Sequence, residues 1–227
     1  MSGQRGVARF VLAERLAHWL YALLFIIALV SGLLMWIPAT RAWMGGARLG
    51  VSQRHAATGF AMVVVPLLIT LILDRRRLAT GIREVDTWDA DDRRWFWAAV
   101  RGGIFRGKEM PPQGRLNAGQ KVNTVLVAAM ALGFAITGSL LLAKTGLPAW
   151  LVSRALWLHG FLAIAGTALL AAHVAQVFLT TYGRAYLKAM FTGRLSEEIA
   201  RRRHAKWWVA TGESPDASER AGGQDDG

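Results

Sequence analysis

The chain has 227 residues, of which 53% are hydrophobic, with ten Trp, no Cys and a formal net charge of +12. Without Cys there can be no disulfide, no thiolate zinc site, no iron–sulfur cluster and no covalently attached c-type haem. The mean hydropathy is +0.29, and the apolar residues form long blocks rather than a dispersed pattern. Composition therefore argues against an ordinary soluble domain and indicates an integral membrane protein.

Four apolar stretches are long enough to cross a bilayer, which takes about 20 helical residues. They cover approximately residues 16–37, 55–73, 122–143 and 156–180. The second contains Pro66, which a helix in lipid tolerates when neighbouring groups satisfy the freed carbonyl. We predict an all-α integral membrane fold, a four-transmembrane-helix bundle formed by residues 1–211. The polar, Gly- and Ser-containing tail 212–227 is predicted to be disordered.

The distribution of Lys and Arg predicts the orientation of these spans. The tail up to Arg15 has three, the loop 74–121 has eleven and the segment after the fourth span has eight, whereas the other two loops have three and two. Positive loops stay inside, so both termini are expected on the cytoplasmic side of a bacterial inner membrane. The positive charge then reflects topology, and nucleic acid is not an expected partner. The stretch 88–101 is predicted to be a short interfacial helix.

Four of the five His residues lie in or at the ends of the predicted spans, where an ionisable side chain suggests a functional site: His18, His55, His159 and His173. Because the spans alternate in direction, His18 at the start of the first span lies near the cytoplasm, and His55 at the start of the second lies near the outer surface. The fourth span runs inward, so His159 lies near the outer surface and His173 lies deeper. His159 and His173 are separated by ~21 Å of helix and a net rotation of about 40°, so they share a face.

These depths predict two layers, with His55 opposite His159 near the outer surface and His18 opposite His173 near the cytoplasm. Each pair would provide the axial ligands of one b-type haem iron. Two imidazoles leave the iron six-coordinate, which favours electron transfer over oxygen binding. A haem-free membrane anchor, in which the His residues only pack, is the alternative from another class. The fifth histidine, His204, lies in a basic tail and is expected to have a surface role.

Small residues on the spans are consistent with a flat macrocycle between the helices. Gly32, Gly59 and Gly166 lie near the expected haem positions. Close packing of membrane helices also favours Gly, so these positions only corroborate the His pattern.

A polar run at residues 114–121 leads into the third span from the cytoplasm. Its residues Asn117, Gln120 and Lys121 could gather near the inner His layer, bind a quinone carbonyl and relay protons. Helix capping by Asn117 with a snorkelling Lys121 explains the same residues equally well.

Several short motifs, spread over residues 9–208, together match the pattern of one known protein family. They are the start Glu14-Arg-Leu-Ala-His18-Trp19, Ser31-Gly32-Leu33, the run 111–121, the His159/His173 spacing, and Gly193-Arg-Leu-Ser196 followed by His204-Ala-Lys-Trp207. Together they resemble the cytochrome b (gamma) subunit of membrane-bound respiratory formate dehydrogenases. The run 111–121 and the tail motif are specific. The span pattern alone would also fit the cytochrome b of a hydrogenase or a thiosulfate reductase.

The resemblance implies an electron-transfer and quinone-reducing subunit of an oxidoreductase complex. It implies an outer haem b on His55 and His159 and an inner one on His18 and His173. A menaquinone or ubiquinone would bind beside the inner haem, where Asn117 and Gln120 match the family.

The resemblance also implies two partner subunits. Formate would be oxidised in a catalytic alpha subunit that carries molybdenum or tungsten with a pterin. An iron–sulfur beta subunit with one membrane helix would dock on the cytochrome. The loop 75–108 shows little of the family pattern, so no partner contact is inferred there.

Overall fold

The computed structural model describes residues 6–102 and 109–211 of the chain. The predicted disordered tail 212–227 lies outside the described residues. The described residues are mainly helical. In chain order the elements are β1 (Gly6–Ala8), α1 (Leu12–Trp36), α2 (Pro38–Met44), α3 (Arg48–Asp86), α4 (Ala90–Val100), α5 (Ala118–Leu142), α6 (Ala149–Leu179), α7 (Gly183–Thr192), β2 (Arg194–Ser196), α8 (Glu197–Arg203) and α9 (Ala205–Ala210).

Four helical stretches are long and apolar enough to cross a membrane, as the sequence predicts. They are α1, the stretch Pro38–Asp86 that contains α3, then α5 and α6. At most 6% of the most apolar window of each stretch is buried within the protein. The prediction of four long apolar helices is confirmed. Almost all residues in these windows therefore keep some surface that can face lipid or other molecules.

The second spanning helix has a break where its apolar part ends. At Asp74 the backbone leaves the helical region, with φ −158° and ψ 76°. The Asp74 carboxylate accepts a hydrogen bond from the backbone N–H of Arg77 at 2.8 Å, which caps the helical segment that follows. The break separates the apolar residues before Asp74 from the basic residues 75–77 after it.

The chain divides into two compact units. The first, called the span unit, comprises Leu12–Leu78 and Leu126–Ala172. In it, Glu14 at the start of α1 pairs with Arg77 at 3.0 Å. A Cβ atom added at Gly166 would lie 2.9 Å from Met130 Cε and 3.1 Å from Phe25 Cζ. Gly166 on α6 therefore lets side chains of α5 and α1 pack closely against its helix.

The second unit, called the terminal unit, comprises the described parts of Met1–Val11, Ala79–Val125 and His173–Gly227. Here β1 pairs antiparallel with β2, and Val7 lies opposite Leu195. Both side chains are buried, as are Ala200 and Trp208 on the following helices. The all-α prediction thus needs one small addition, a two-stranded sheet that joins the beginning of the chain to its C-terminal part.

The helix predicted at 88–101 is α4, and its start is a capping box. The Asp89 carboxylate accepts from the N–H groups of Asp91 and Asp92, and Asp92 accepts in return from the Asp89 N–H. Trp95 is buried, and a Cβ atom at Gly119 would lie 2.9 Å from its ring. Only glycine at this position of α5 allows the Trp95 ring to pack so closely.

The predicted surface role of His204 is wrong, because its side chain is completely buried in the terminal unit. His204 Nδ1 donates to the Gly114 carbonyl at 2.7 Å, and Nε2 accepts from the Tyr186 hydroxyl at 3.1 Å. The neighbouring Arg201 and Arg202 are exposed. They belong to the preceding helix, whereas His204 lies at the junction of α8 and α9 and faces inward.

Candidate functional site

His55 on α3 and His159 on α6 face each other within the span unit. Their ring centroids are 6.0 Å apart and their planes are inclined by 69°. Two imidazoles that bind one metal from opposite sides, through metal–nitrogen bonds of about 2 Å, have ring centres roughly 6 Å apart. The structure therefore brings together two of the predicted ligands at a separation that suits a shared metal.

The His55 ring is fixed by α1. Its Nδ1 atom lies 3.0 Å from the Ala28 carbonyl oxygen and 3.0 Å from Ser31 Oγ. A carbonyl oxygen can only accept, so His55 Nδ1 carries the proton and Nε2 keeps its lone pair. His55 thus presents Nε2 as a possible metal ligand.

The His159 ring is fixed by α5 in the same way. Its Nδ1 atom lies 2.8 Å from Thr137 Oγ1, and the Thr137 hydroxyl donates to the Gly133 carbonyl at 2.7 Å. Because that proton is already committed, Thr137 accepts from His159 Nδ1 and the Nε2 lone pair is left for a ligand. Thr137 is only 2% exposed. A second hydrogen bond of this kind is typical of histidines that bind metals.

Glycines lie beside both rings. A Cβ atom at Gly32 would lie 3.2 Å from His55 Cε1, and one at Gly138 would lie 3.9 Å from His159 Cε1. At Gly59 an added Cβ would meet no atom of the described residues within 4 Å.

The donor set of this site fits a b-type haem. Two imidazoles supply only two ligands, whereas a metal site built from protein alone usually has three or four. No group of three or more His, Asp or Glu side chains within residues 6–102 and 109–211 is placed to hold a metal ion. A porphyrin would supply the four remaining ligands of a six-coordinate iron, so the imidazoles of His55 and His159 would suffice to hold a b-type haem.

The two histidines predicted for the inner layer are on the expected helices. His18 is on α1, where its ring makes an edge contact with Trp19 at 5.0 Å between centroids. His173 is on α6 and is exposed. His18 belongs to the span unit and His173 to the terminal unit. Their pairing stays a prediction from the sequence.

Asn117 and Gln120 form a reciprocal cap at the start of α5. Asn117 Oδ1 accepts from the Gln120 N–H at 2.9 Å, and Gln120 Oε1 accepts from the Asn117 N–H at 3.0 Å. Gln120 Oε1 also accepts from Arg9 Nη2 at 3.1 Å. The capping role that the sequence allowed for Asn117 is present, and the role of both amides in quinone binding stays a prediction.

Lys121 does not snorkel, because its side chain is paired inside the terminal unit. It is 7% exposed, and its Nζ atom donates to Asp92 Oδ2 and to the Thr87 carbonyl, both at 2.8 Å. Sequence reasoning missed Asp92 as its partner, because the contact joins residues 29 positions apart.

Arg9 is a further residue that the sequence did not single out. It is 3% exposed and donates to the Arg115 carbonyl at 2.7 Å. Its guanidinium lies 5.0 Å from the centroid of the Phe10 ring, 4.9 Å from that of Tyr186 and 5.9 Å from that of Trp207. This buried cation therefore joins the aromatic cluster around His204 to the Gln120 side chain.

Electrostatics in this cluster keep the His204 imidazole neutral. Burial, and then the charge of Arg9, lower its pKa well below the usual 6.5. Burial also raises the pKa of Tyr186, so its hydroxyl remains protonated and can donate to His204.

Known proteins similar to this chain are membrane cytochromes. A family model described as prokaryotic cytochrome b561 matches residues 9–193. The formate dehydrogenase cytochrome b556(fdo) subunit of Escherichia coli K12 is 25% identical over 209 residues, covering 89% of this chain and 92% of that protein. The cytochrome b556(Fdn) subunit of the nitrate-inducible formate dehydrogenase is 23% identical over 217 residues in E. coli K12, and likewise in Shigella flexneri, covering 92% of this chain and 93% of the relative. The resemblance to formate dehydrogenase cytochrome b subunits is confirmed.

Proposed function

The chain belongs to the prokaryotic cytochrome b561 family, and we propose that it is the dihaem cytochrome b subunit of a formate dehydrogenase. In this proposal it receives electrons on the periplasmic side of the bacterial inner membrane and delivers them to menaquinone or ubiquinone near the cytoplasm. Formate itself is oxidised in a partner subunit.

The observation that carries the proposal is the meeting of His55 and His159 at 6.0 Å between ring centroids. Each ring has its Nδ1 atom bonded to another helix, so both can offer Nε2 to one iron. A haem with two imidazole ligands supplies one-electron transfer without an open position for a gas. The two residues hold and orient the cofactor, and the apolar helices around them exclude water.

The second haem is proposed at His18 and His173, from their positions along the spans. The quinone is proposed to bind near this pair, where Gln120 can offer its amide nitrogen while Arg9 holds its amide oxygen. Lys121 and Asp92 form a buried pair at the start of α5, where protons could be exchanged with the cytoplasm.

Two partners are proposed by analogy with the similar subunits of formate dehydrogenases. They are an iron–sulfur subunit with a membrane helix and a catalytic subunit with molybdenum or tungsten bound to a pterin. Purification of the complex in mild detergent tests this directly. Recovery of a hydrogenase or thiosulfate reductase subunit instead would leave the haem assignment in place and replace formate dehydrogenase as the proposed electron donor.

Haem content tests the central assignment. The purified protein should contain two b-type haems per chain by the pyridine haemochrome assay. His55→Ala and His159→Ala should each lose the same haem, identified by its midpoint potential, and the other haem should remain. His18→Ala and His173→Ala are the matched set and should lose the other haem. A protein that reaches the membrane in normal amount but shows no b-type absorbance after dithionite reduction would support the haem-free anchor.

Quinone reduction tests the second half of the proposal. Gln120→Leu should leave both haem spectra unchanged and slow the oxidation of the reduced cytochrome by added quinone. Asn123→Leu, one turn further along α5, is a control for a changed amide that the proposal gives no role. Equal oxidation rates in the native protein and Gln120→Leu would remove Gln120 from the quinone site.

A further inference from the structure

We propose that two hydroxyl–glycine dipeptides, Ser31-Gly32 on α1 and Thr137-Gly138 on α5, orient the imidazoles of His55 and His159 and set the reduction potential of the haem bound there. This inference rests on the proposed outer haem. It assigns a positioning role to four residues that bind no metal themselves.

The two dipeptides repeat one arrangement around the two histidines. In each, the hydroxyl lies against Nδ1 of the histidine, at 3.0 Å for Ser31 and 2.8 Å for Thr137. The next residue is a glycine whose added Cβ would approach Cε1 of the same ring. Each helix thus presents a hydroxyl acceptor and a glycine to one edge of an imidazole, and the contact is tighter at Gly32 than at Gly138.

Hydrogen bonding at Nδ1 affects the metal through the ring. When Nδ1–H donates to an acceptor, electron density on the imidazole rises and Nε2 becomes a stronger donor, which stabilises ferric iron more than ferrous iron. Loss of the acceptor should therefore move the midpoint potential to more positive values. The hydroxyls are close enough to act on the potential without any contact to the cofactor.

The two sides differ in how much depends on the hydroxyl. His55 Nδ1 can still donate to the Ala28 carbonyl when Ser31 is removed. For His159 Nδ1, Thr137 Oγ1 is the acceptor found among the described residues. The potential should consequently respond more to the loss of Thr137 than to the loss of Ser31.

For the glycines, the larger effect is expected on the His55 side, where the added Cβ comes closer to the ring. A methyl group 3.2 Å from His55 Cε1 is closer than ordinary van der Waals contact, so an alanine at Gly32 should turn or push the ring. The corresponding distance of 3.9 Å at Gly138 is ordinary contact. The angle between the two imidazole planes, now 69°, should thus change in Gly32→Ala and change less in Gly138→Ala.

Redox titration of the purified protein tests the hydroxyls. Thr137→Val, which keeps the side-chain volume, should shift one midpoint potential to more positive values and leave the other unchanged. Ser31→Ala should shift the same potential less, and Thr137→Ser should restore the native value. Thr167→Val is the matched control, since the Thr167 hydroxyl bonds only its own helix, at the Ala163 carbonyl. A native potential in Thr137→Val with full haem content would overturn the proposal, as would an equal shift in Thr167→Val.

Electron paramagnetic resonance of the oxidised protein tests the glycines. The g values of low-spin ferric haem depend on the angle between the axial ligand planes, so Gly32→Ala should alter the signal of one haem. Gly81→Ala, also helical but far along the chain from both histidines and with no atom of the described residues within 4 Å of the added Cβ, is the control. Unchanged g values in Gly32→Ala would contradict the positioning role. The glycine variants also keep the proposal testable if Thr137→Val does not accumulate, because alanine favours helix relative to glycine.

The outcome for His159→Ala separates this inference from the proposed function. If His159→Ala keeps both haems, the proposed haem site itself is wrong. If it loses one haem while Thr137→Val and Gly32→Ala leave that haem unchanged, the site stands and the dipeptides have no part in tuning it.

Discussion

The His204 imidazole is buried beside cations, and its protonation affects folding. Burial disfavours the charged form most, and the charges of Arg9, Arg115 and Arg203 add to it, so the folded protein holds the pKa of His204 well below 6.5. The unfolded chain takes up a proton as the pH falls below about 6.5, whereas the folded chain does not. The unfolded state then gains up to about 1.4 kcal/mol per pH unit, and stability falls until the folded pKa is reached.

We expect His204→Gln to reduce this pH dependence. Glutamine does not titrate, and its amide can donate to the Gly114 carbonyl and accept from Tyr186 as neutral His204 does. The melting temperature of the native protein should therefore fall more between pH 7.5 and pH 5.5 than that of His204→Gln. An equal change of melting temperature with pH in the two proteins would show that folding does not lower the pKa of His204.

Single residues differ in how far their role could be predicted from the sequence. The approach of His55 to His159 was predictable because the depth of each residue follows from helix length and direction. Ser31 and Thr137 were not, because a hydroxyl in an apolar helix most often bonds its own backbone, as Thr167 and Ser139 do. His204 was misjudged because its charged neighbours are exposed and only tertiary packing shows which way its ring faces.

At the scale of elements, α4 is attached to α5 by the buried pair of Asp92 and Lys121. The side chains are 5% and 9% exposed, and Nζ lies 2.8 Å from Oδ2. Removal of one partner leaves an unpaired buried charge, so Asp92→Leu should lower the free energy of unfolding by about 3–5 kcal/mol. The double variant Asp92→Leu/Lys121→Met should recover much of this loss, because neither charge then remains. Thermal denaturation of the purified variants measures both effects.

The double variant also separates structure from quinone chemistry. If Lys121 serves quinone reduction, the double variant should be stable, but added quinone should oxidise its reduced cytochrome more slowly than in the native protein. If Lys121 serves only to attach α4, the double variant should be stable and should react with quinone at the native rate. Failure of the second substitution to recover any stability would contradict the pairing itself.

The elements themselves were predictable to different degrees. The four spanning helices follow from uninterrupted apolar runs, and α4 from the aromatic residues Trp95, Phe96 and Trp97 within a charged stretch. Helix capping by Asn117 was recognisable as an alternative from its residue type and position, whereas the reciprocal bond from the Gln120 side chain was seen only in the structure. The strands β1 and β2 were not predictable, since three residues carry little pattern and their partners are more than 180 residues apart.

At the scale of the whole chain, strand β1 near its start and strand β2 in its C-terminal part are held together through Val7 and Leu195. Val7 is 2% exposed and Leu195 is 1% exposed. Val7→Asp would bury an unpaired carboxylate and should separate β1 from β2. Trypsin should then cleave after Arg201, Arg202 or Arg203 faster than in the native protein. Val209→Asp is the control, because Val209 is 60% exposed and tolerates a charge. Equal cleavage rates in Val7→Asp and Val209→Asp would mean that the strand pair does not protect this segment.

The distribution of positive charge predicts how the whole chain lies in the membrane. Of the 27 Lys and Arg residues, 22 fall in the tails and the middle loop, and five fall in the other two loops. With four spans, this predicts that both termini and the middle loop 74–121 lie in the cytoplasm, because Lys and Arg in the segments that flank the spans resist translocation. A fluorescent protein fused after Thr211 should therefore mature. Alkaline phosphatase inserted at Gly146 should be active, because this turn is predicted to lie in the periplasm. Activity of alkaline phosphatase fused after Thr211 would show that the orientation is the reverse of the predicted one. Because His55 and His159 lie near the ends of their spans next to the two poorly charged loops, reversal would also move the proposed outer haem to the cytoplasmic side.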